Sequence, residues 1–118
     1  MRTPEQTAIL LAVLFERSGQ PRARVSQKTL KLLGYRFKLR SAFVLAVTEA
    51  IAVYGITMIE LDNGALGLVR TKSLEGAKAV TAKRLMDDIL PALMHGNAID
   101  FDELESELTP EEVFEPED

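Results

Sequence analysis

A run of basic residues near the N-terminus is the part of this sequence best suited to chemistry. Between Arg17 and Arg40 the chain carries eight Lys or Arg and no Asp or Glu, and we call this stretch the basic segment. Arginine presents a fork that bonds guanine O6 and N7 together, whereas lysine supplies a point charge to phosphate. Ordinary surfaces intersperse both signs, so the segregation favours a polyanion-binding surface over a merely solvated one.

The charges of the whole chain divide in the same way. Its 118 residues carry a net charge of −4, but all 14 bases and only six acids lie in residues 1–84, a net +8. Residues 85–118 hold twelve acids and no base, a net −12. The overall charge therefore hides a basic first part and an acidic last part.

The sequence gives little support for a metal site, a cofactor site or a catalytic site. The absence of cysteine excludes disulfides, thiolate zinc sites, iron–sulfur clusters and a cysteine nucleophile. His95 with Asp88, Asp100 and Asp102 has spacing too uneven for a zinc site. The chain has no glycine-rich phosphate loop and no nucleophile elbow. We therefore expect no catalytic residue, no metal, no cofactor and no enzyme activity.

The composition predicts a small globular protein. With 47% apolar and 27% charged residues, a chain of this length can bury a core without disulfides. Its longest apolar run, Ala8 to Phe15, is far shorter than the ~20 residues of a membrane span, and no signal pattern precedes it. We expect a soluble, cytoplasmic protein with no membrane partner.

Two helices are predicted around the start of the basic segment. Thr3, Pro4 and Gln6 form a capping signal for a helix to about Ser18, whose apolar residues nearly encircle its axis and predict extensive burial. Ser26 caps a second helix through Leu33. We expect the next residue, Gly34, to adopt the left-handed conformation that ends it.

A third helix and a hairpin follow. Apolar spacing of three and four residues predicts the helix over about 39–54, closed by Gly55. Alternating apolar runs over 56–61 and 66–70 flank Asn63-Gly64, which predicts a β-hairpin.

A fourth helix is predicted from Ser73 toward Ile89, with an interruption or restart at Pro91. An apolar stripe on it covers the domain core or pairs with a second copy of the chain, and we favour a homodimer. The stripe consists of Ala82, Met86, Ile89 and Leu93.

The last part of the chain is interpreted as a tail. We divide the chain into a domain, residues 1–97, and an acidic segment, residues 98–118. Phe101, Leu104 and Leu108 have the spacing of a short amphipathic helix that could bind a protein partner. The acid density favours disorder until a partner is bound.

The order of these elements resembles the winged helix-turn-helix superfamily at the level of the fold. The resemblance covers about residues 3–94 and rests on the order of three helices and a hairpin. It also rests on the glycines that follow two of the helices, Gly34 and Gly55, and on the turn residues Asn63-Gly64. It implies an α+β fold whose third helix enters the DNA major groove while the preceding helix crosses the backbone.

The resemblance also implies which residues contact double-stranded DNA. Arg40, Ser41 and Thr48 would lie near bases, Arg36 and Lys38 at the groove edge, and Arg22, Arg24, Lys28 and Lys31 against phosphates. Ser41 has an alternative role as the N-cap of the third helix.

The leading hypothesis is a small DNA-binding regulator of transcription or another DNA transaction, whose acidic segment competes for the basic face. The alternative is a protein-interaction module on a winged-helix scaffold, which the apolar third helix favours. A DNA mimic is a weaker reading, because the first part of the chain is basic.

Overall fold

The computed structural model describes residues 1–109 and has the predicted α+β character: N-terminal helices, a three-stranded antiparallel sheet and further helices. The described residues fall into two compact units, residues 1–76 and 77–109. The boundary of the acidic segment at residue 98 stays a prediction. None of the helices among residues 1–109 combines the length and the hydrophobicity that a membrane span requires.

The first unit combines four helices with a sheet in the strand order β1-β3-β2. The elements, in chain order, are α1 (Pro4–Ser18), β1 (Arg22–Val25), α2 (Gln27–Gly34), α3 (Ser41–Ile51), a 3-10 turn (Ala52–Tyr54), β2 (Ile56–Glu60), β3 (Leu66–Arg70) and α4 (Thr71–Glu75).

The predicted start of α1 is confirmed, but its predicted burial is wrong. The Thr3 hydroxyl accepts from the Gln6 N–H at 3.1 Å, and the Gln6 side chain accepts from the Thr3 N–H at 3.1 Å. Only one face of the helix is buried; Leu10, on the other, is 37% exposed. The sheet and the other helices of the first unit cover one side of α1, and apolar composition cannot indicate which.

Strand β1 was not predicted. Its four residues alternate exposed and half-buried, which is the alternation of a strand with one covered face. All four lie opposite β3, from Arg22 facing Val69 to Val25 facing Leu66. The signal is short, and the pairing partner lies more than 40 residues away in the sequence, so local patterning alone did not reveal it.

The end of α2 corrects the prediction for Gly34. Gly34 is the last helical residue, and Tyr35 follows in the left-handed conformation at φ 51°. A Cβ at Gly34 would lie 3.0 Å from Phe43 Cζ and 3.4 Å from Thr7 Oγ1. The glycine is therefore needed for the close approach of α2 to Phe43 and α1 and not for its own backbone angle.

The predicted hairpin is confirmed. Strands β2 and β3 pair from Ile56 opposite Arg70 to Glu60 opposite Leu66. Gly64 has φ +85°, and the Asn63 side chain accepts from the Ala65 N–H at 2.9 Å. The α-helical part of the third helix is shorter than predicted, but the 3-10 turn continues it to Tyr54, and Gly55 closes it as predicted, at φ 73°. Ser41 is not its N-cap: Arg40 holds that position without a side-chain cap.

The core joins every major element of the first unit. Its members are buried apolar side chains of α1, α2, α3, β2 and β3: Ala8, Leu11, Phe15, Leu30, Phe43, Val44, Val47, Ile51, Ile56, Met58, Leu66 and Leu68. Side chains of β1, α2 and the start of α3 pack into or against this core. The core therefore fixes the position of the basic segment, which lies on the surface above it.

The second unit contains three short helices, α5 (Ala82–Leu85), α6 (Leu90–His95) and α7 (Phe101–Glu105). None of residues 77–109 is buried. The prediction of one helix from Ser73 toward Ile89 is wrong, because α4 ends at Glu75 and Thr81 caps a new helix. The predicted restart is confirmed, with Pro91 in the first turn of α6.

The break changes the basis of the dimer prediction. Ala82 lies in α5 and Leu93 in α6, while Met86 and Ile89 occupy cap positions. The four residues of the predicted stripe therefore do not lie on one helix. A homodimer stays a prediction.

Helix α7 is capped by Asp100, and Leu108 lies beyond its end. The sequence Thr109-Pro110-Glu111-Glu112 also has the form of a helix start, and this prediction falls largely outside the described residues.

Candidate nucleic-acid interface

Strand β1 places two of the predicted DNA contacts on one face of the sheet. Arg22 and Arg24 are two residues apart, so their side chains project to the same side, and both are exposed. The residues between and after them, Ala23 and Val25, pack against the core instead. The strand therefore presents its arginines to solvent as a pair.

Helix α2 presents two lysines. Lys28 is exposed and Lys31 is half-buried, three residues apart on the helix. The Ser26 side chain fixes the helix start by accepting from the Thr29 N–H at 3.1 Å. Among residues 1–109 the ion pair that the structure forms is Arg70 with Glu16, so neither lysine is neutralised by a neighbouring carboxylate.

Arg36 is held inside its own turn. Its guanidinium carbon lies 3.7 Å from the centroid of the Phe43 ring, and Nη2 donates to the Arg2 carbonyl at 2.9 Å. Its Nε is buried without a hydrogen-bond partner among the residues that the structure describes. Sequence reasoning assigned Arg36 to the groove edge, but these contacts use one end of the side chain to fasten the turn to α3 and the N-terminus.

The remaining predicted contacts lie around α3. Lys38 and Arg40 are exposed before the helix, and Ser41 is exposed in its first turn. Thr48 is half-buried, and its hydroxyl donates to the Val44 carbonyl at 2.8 Å. That bond satisfies the only donor of the side chain, which leaves acceptor capacity for any base contact.

The outward face of α3 is not basic. Leu45 is 59% exposed and Glu49 is also exposed, and α3 contains no Lys or Arg. The hairpin loop likewise contributes the acid Asp62. Positive charge is therefore concentrated on β1, α2 and the turn before α3, so Arg40 is the one arginine next to the helix that could read a base.

Sequence reasoning missed a group of exposed apolar side chains beside the lysines. Leu32, Tyr35 and Phe37 are 73%, 72% and 99% exposed. They line an open cavity of about 400 Å³ together with Lys28, Thr29, Lys31 and Arg36. The available signal was the placement of two aromatics within the basic segment, which is typical of nucleic-acid-binding surfaces.

Comparison of the chain with protein-family models, curated proteins and solved structures gives no match. Within residues 1–109 no three His, Asp or Glu side chains lie close enough together to hold a metal ion.

Proposed function

We propose that residues 1–76 form a winged-helix unit that binds double-stranded DNA. Two observations support the arrangement. A helix pair, α2 and α3, is joined by a short turn and followed by the β2-β3 hairpin, and β1 completes the sheet beside β3. This is the element order that the resemblance implies, with the additional strand between the first two helices.

The observation that carries the proposal is the basic segment itself. Eight bases and no acid lie between Arg17 and Arg40, and β1 and α2 present four of them on the surface of a unit with eleven bases and six acids. Duplex DNA is a dense array of negative charge, and each phosphate neutralised by Lys or Arg releases counterions. The surface therefore suits phosphate contacts, with Arg40 as the candidate for base contact.

A salt-dependent titration of labelled duplex DNA tests the proposal. We expect Lys28→Gln/Lys31→Gln to weaken binding and to reduce the slope of log affinity against log salt by about 0.9 for each phosphate that is no longer neutralised. The matched control is Lys78→Gln/Lys83→Gln, which removes the same charge from exposed residues of the second unit. Equal weakening in both variants, or no binding by the unaltered chain at low salt, would contradict the proposal.

The acidic segment supplies a regulatory element within the same proposal. Residues 98–118 hold ten acids and no base, tethered to a basic unit in the same chain. A tethered polyanion has a high effective concentration and competes with DNA for the basic surface. A regulator of transcription or another DNA transaction could use a partner of the acidic segment to release that competition.

The face of α3 favours a second candidate function, a protein-interaction module. Leu45 is exposed where a DNA-reading helix would carry polar groups, Val53 is exposed in the 3-10 turn that follows α3, and a folded partner could cover both. In that case Phe101, Leu104 and Leu108 would be further partner contacts. The duplex titration separates the two functions, because phosphate contacts give a salt slope that Lys28→Gln/Lys31→Gln reduces, whereas an apolar docking surface on α3 contributes no such slope.

A further inference from the structure

The aromatic turn after α2, which we define as Tyr35, Arg36 and Phe37, is unlike an ordinary loop. Phe37 is 99% exposed and Tyr35 is 72% exposed, so folding of the chain buries almost none of the Phe37 side chain. Loop residues exposed to this degree are usually polar, because a phenylalanine left in water forgoes the free energy that its burial would provide.

The backbone of the turn adds an independent observation. Tyr35 has φ 51° and ψ 56°, and it is the one residue other than glycine with positive φ among residues 1–109. A side chain in this region costs conformational energy that glycine avoids. Such a residue at an exposed position points to a use for the side chain that local folding does not supply.

The surroundings of the two rings are cationic. The cavity that Tyr35 and Phe37 line is bordered by Lys28, Lys31 and Arg36, and no acidic residue is among the described residues that line it. The contacts of Arg36 with Phe43 and with the Arg2 carbonyl fix the turn that carries the rings. The result is an aromatic surface, carried by a fastened turn, beside side chains that attract phosphate.

We infer that the aromatic turn stacks on unpaired nucleobases, so that the preferred ligand is DNA with a single-stranded portion next to the duplex. This inference rests on the proposed function and names its substrate class. Nucleobases have flat faces that stack on Tyr and Phe, while the phosphates on either side would meet Lys28 and Lys31. A paired base in an intact duplex would first have to be unstacked, which costs free energy.

The test compares two labelled ligands with the full chain: a blunt duplex and the same duplex with an unpaired overhang. We expect tighter binding of the overhang DNA. We expect Phe37→Ala to weaken that binding by at least about fivefold, the lower end of the effect of removing one base stack, with little effect on the blunt duplex. Phe37→Trp should retain the preference, whereas Phe37→Leu, which is apolar but not aromatic, should lose it.

The control is Val80→Ala, which truncates another highly exposed apolar side chain, outside every proposed contact surface, and should change neither affinity. Equal binding of the two ligands, with no effect of Phe37→Ala, would overturn the inference and leave the duplex-binding proposal intact. Full retention by Phe37→Leu would also overturn it, because the surface would then be an apolar docking site. Binding of neither ligand would overturn the proposed function itself.

Discussion

At the scale of single residues, the turn between α2 and α3 shows how two neighbours take different roles. Arg36 stacks on Phe43 and donates to Arg2, so it stabilises the turn from within. Tyr35 adopts the left-handed conformation with most of its side chain in solvent. The guanidinium carbon of Arg2 lies 5.8 Å from the centroid of the Tyr35 ring. At that distance the pair contributes at most a weak cation–π attraction.

The conformation of Tyr35 predicts an unusual response to glycine. We expect Tyr35→Gly to leave the free energy of unfolding unchanged or to raise it by up to about 1 kcal/mol, because glycine removes the strain of a left-handed L-residue. Chemical denaturation with a helical signal would measure the change.

A matched control lies three residues earlier. Leu32 is exposed to the same degree but lies inside α2, where Leu32→Gly should cost about 1 kcal/mol. If both glycine variants are destabilised equally, the left-handed backbone of Tyr35 carries no strain.

At the scale of elements, α1 illustrates why an apolar helix need not be a central one. Leu11 and Phe15 are fully buried against the rest of the first unit, whereas Ile9, Leu10, Val13 and Leu14 remain partly exposed. The sequence is apolar all round, so the position of the buried face depends on where α2, α3 and the sheet lie.

Two neighbouring leucines of α1 test that orientation. We expect Leu11→Ala to lower the free energy of unfolding by roughly 2–5 kcal/mol, because it empties space in the core. The adjacent Leu10→Ala, on a side chain that is 37% exposed, should cost clearly less. Denaturant titration of the two variants gives the comparison, and equal destabilisation would indicate that both faces of α1 are covered in solution.

At the scale of the whole molecule, charge is the dominant asymmetry. Residues 1–76 carry eleven bases and six acids, while residues 98–118 carry ten acids and no base. Charges separated by more than about 10 Å are largely screened at 0.1 M salt, so any effect of one region on the other should fade as salt increases.

This asymmetry predicts that removal of the acidic segment increases the affinity for duplex DNA. We expect the chain ending at residue 97 to bind duplex DNA more tightly than the full chain at low salt, with the difference shrinking as salt is raised, because the competing acids are gone. Fluorescence anisotropy with one labelled duplex measures both chains.

A full-length variant controls for the change in chain length. Glu103→Gln/Glu105→Gln/Glu107→Gln removes three of the acids without shortening the chain, and it should reproduce part of the gain. Unchanged duplex affinity in both altered chains would show that the acidic segment does not compete with DNA.

Local signals determined several element boundaries in both units. The Thr3 and Ser26 caps, the Asn63-Gly64 turn and the restart at Pro91 were all identified from the sequence, because each depends on interactions spanning a few residues. The basic segment and its lysines were likewise evident from composition. Where these signals were strong, the elements of the structure begin or turn at the predicted places.

Other features depended on contacts between residues far apart in the chain. Strand β1 exists through its pairing with β3, and Gly34 is required by the ring of Phe43. The contacts that fasten Arg36, and the exposure of Phe37, follow from how α2 and α3 pack. The sequence by itself determined the charge pattern and the local turns, because these depend on neighbouring residues. The tertiary structure decided which side chains are exposed or fixed, because burial depends on distant parts of the chain.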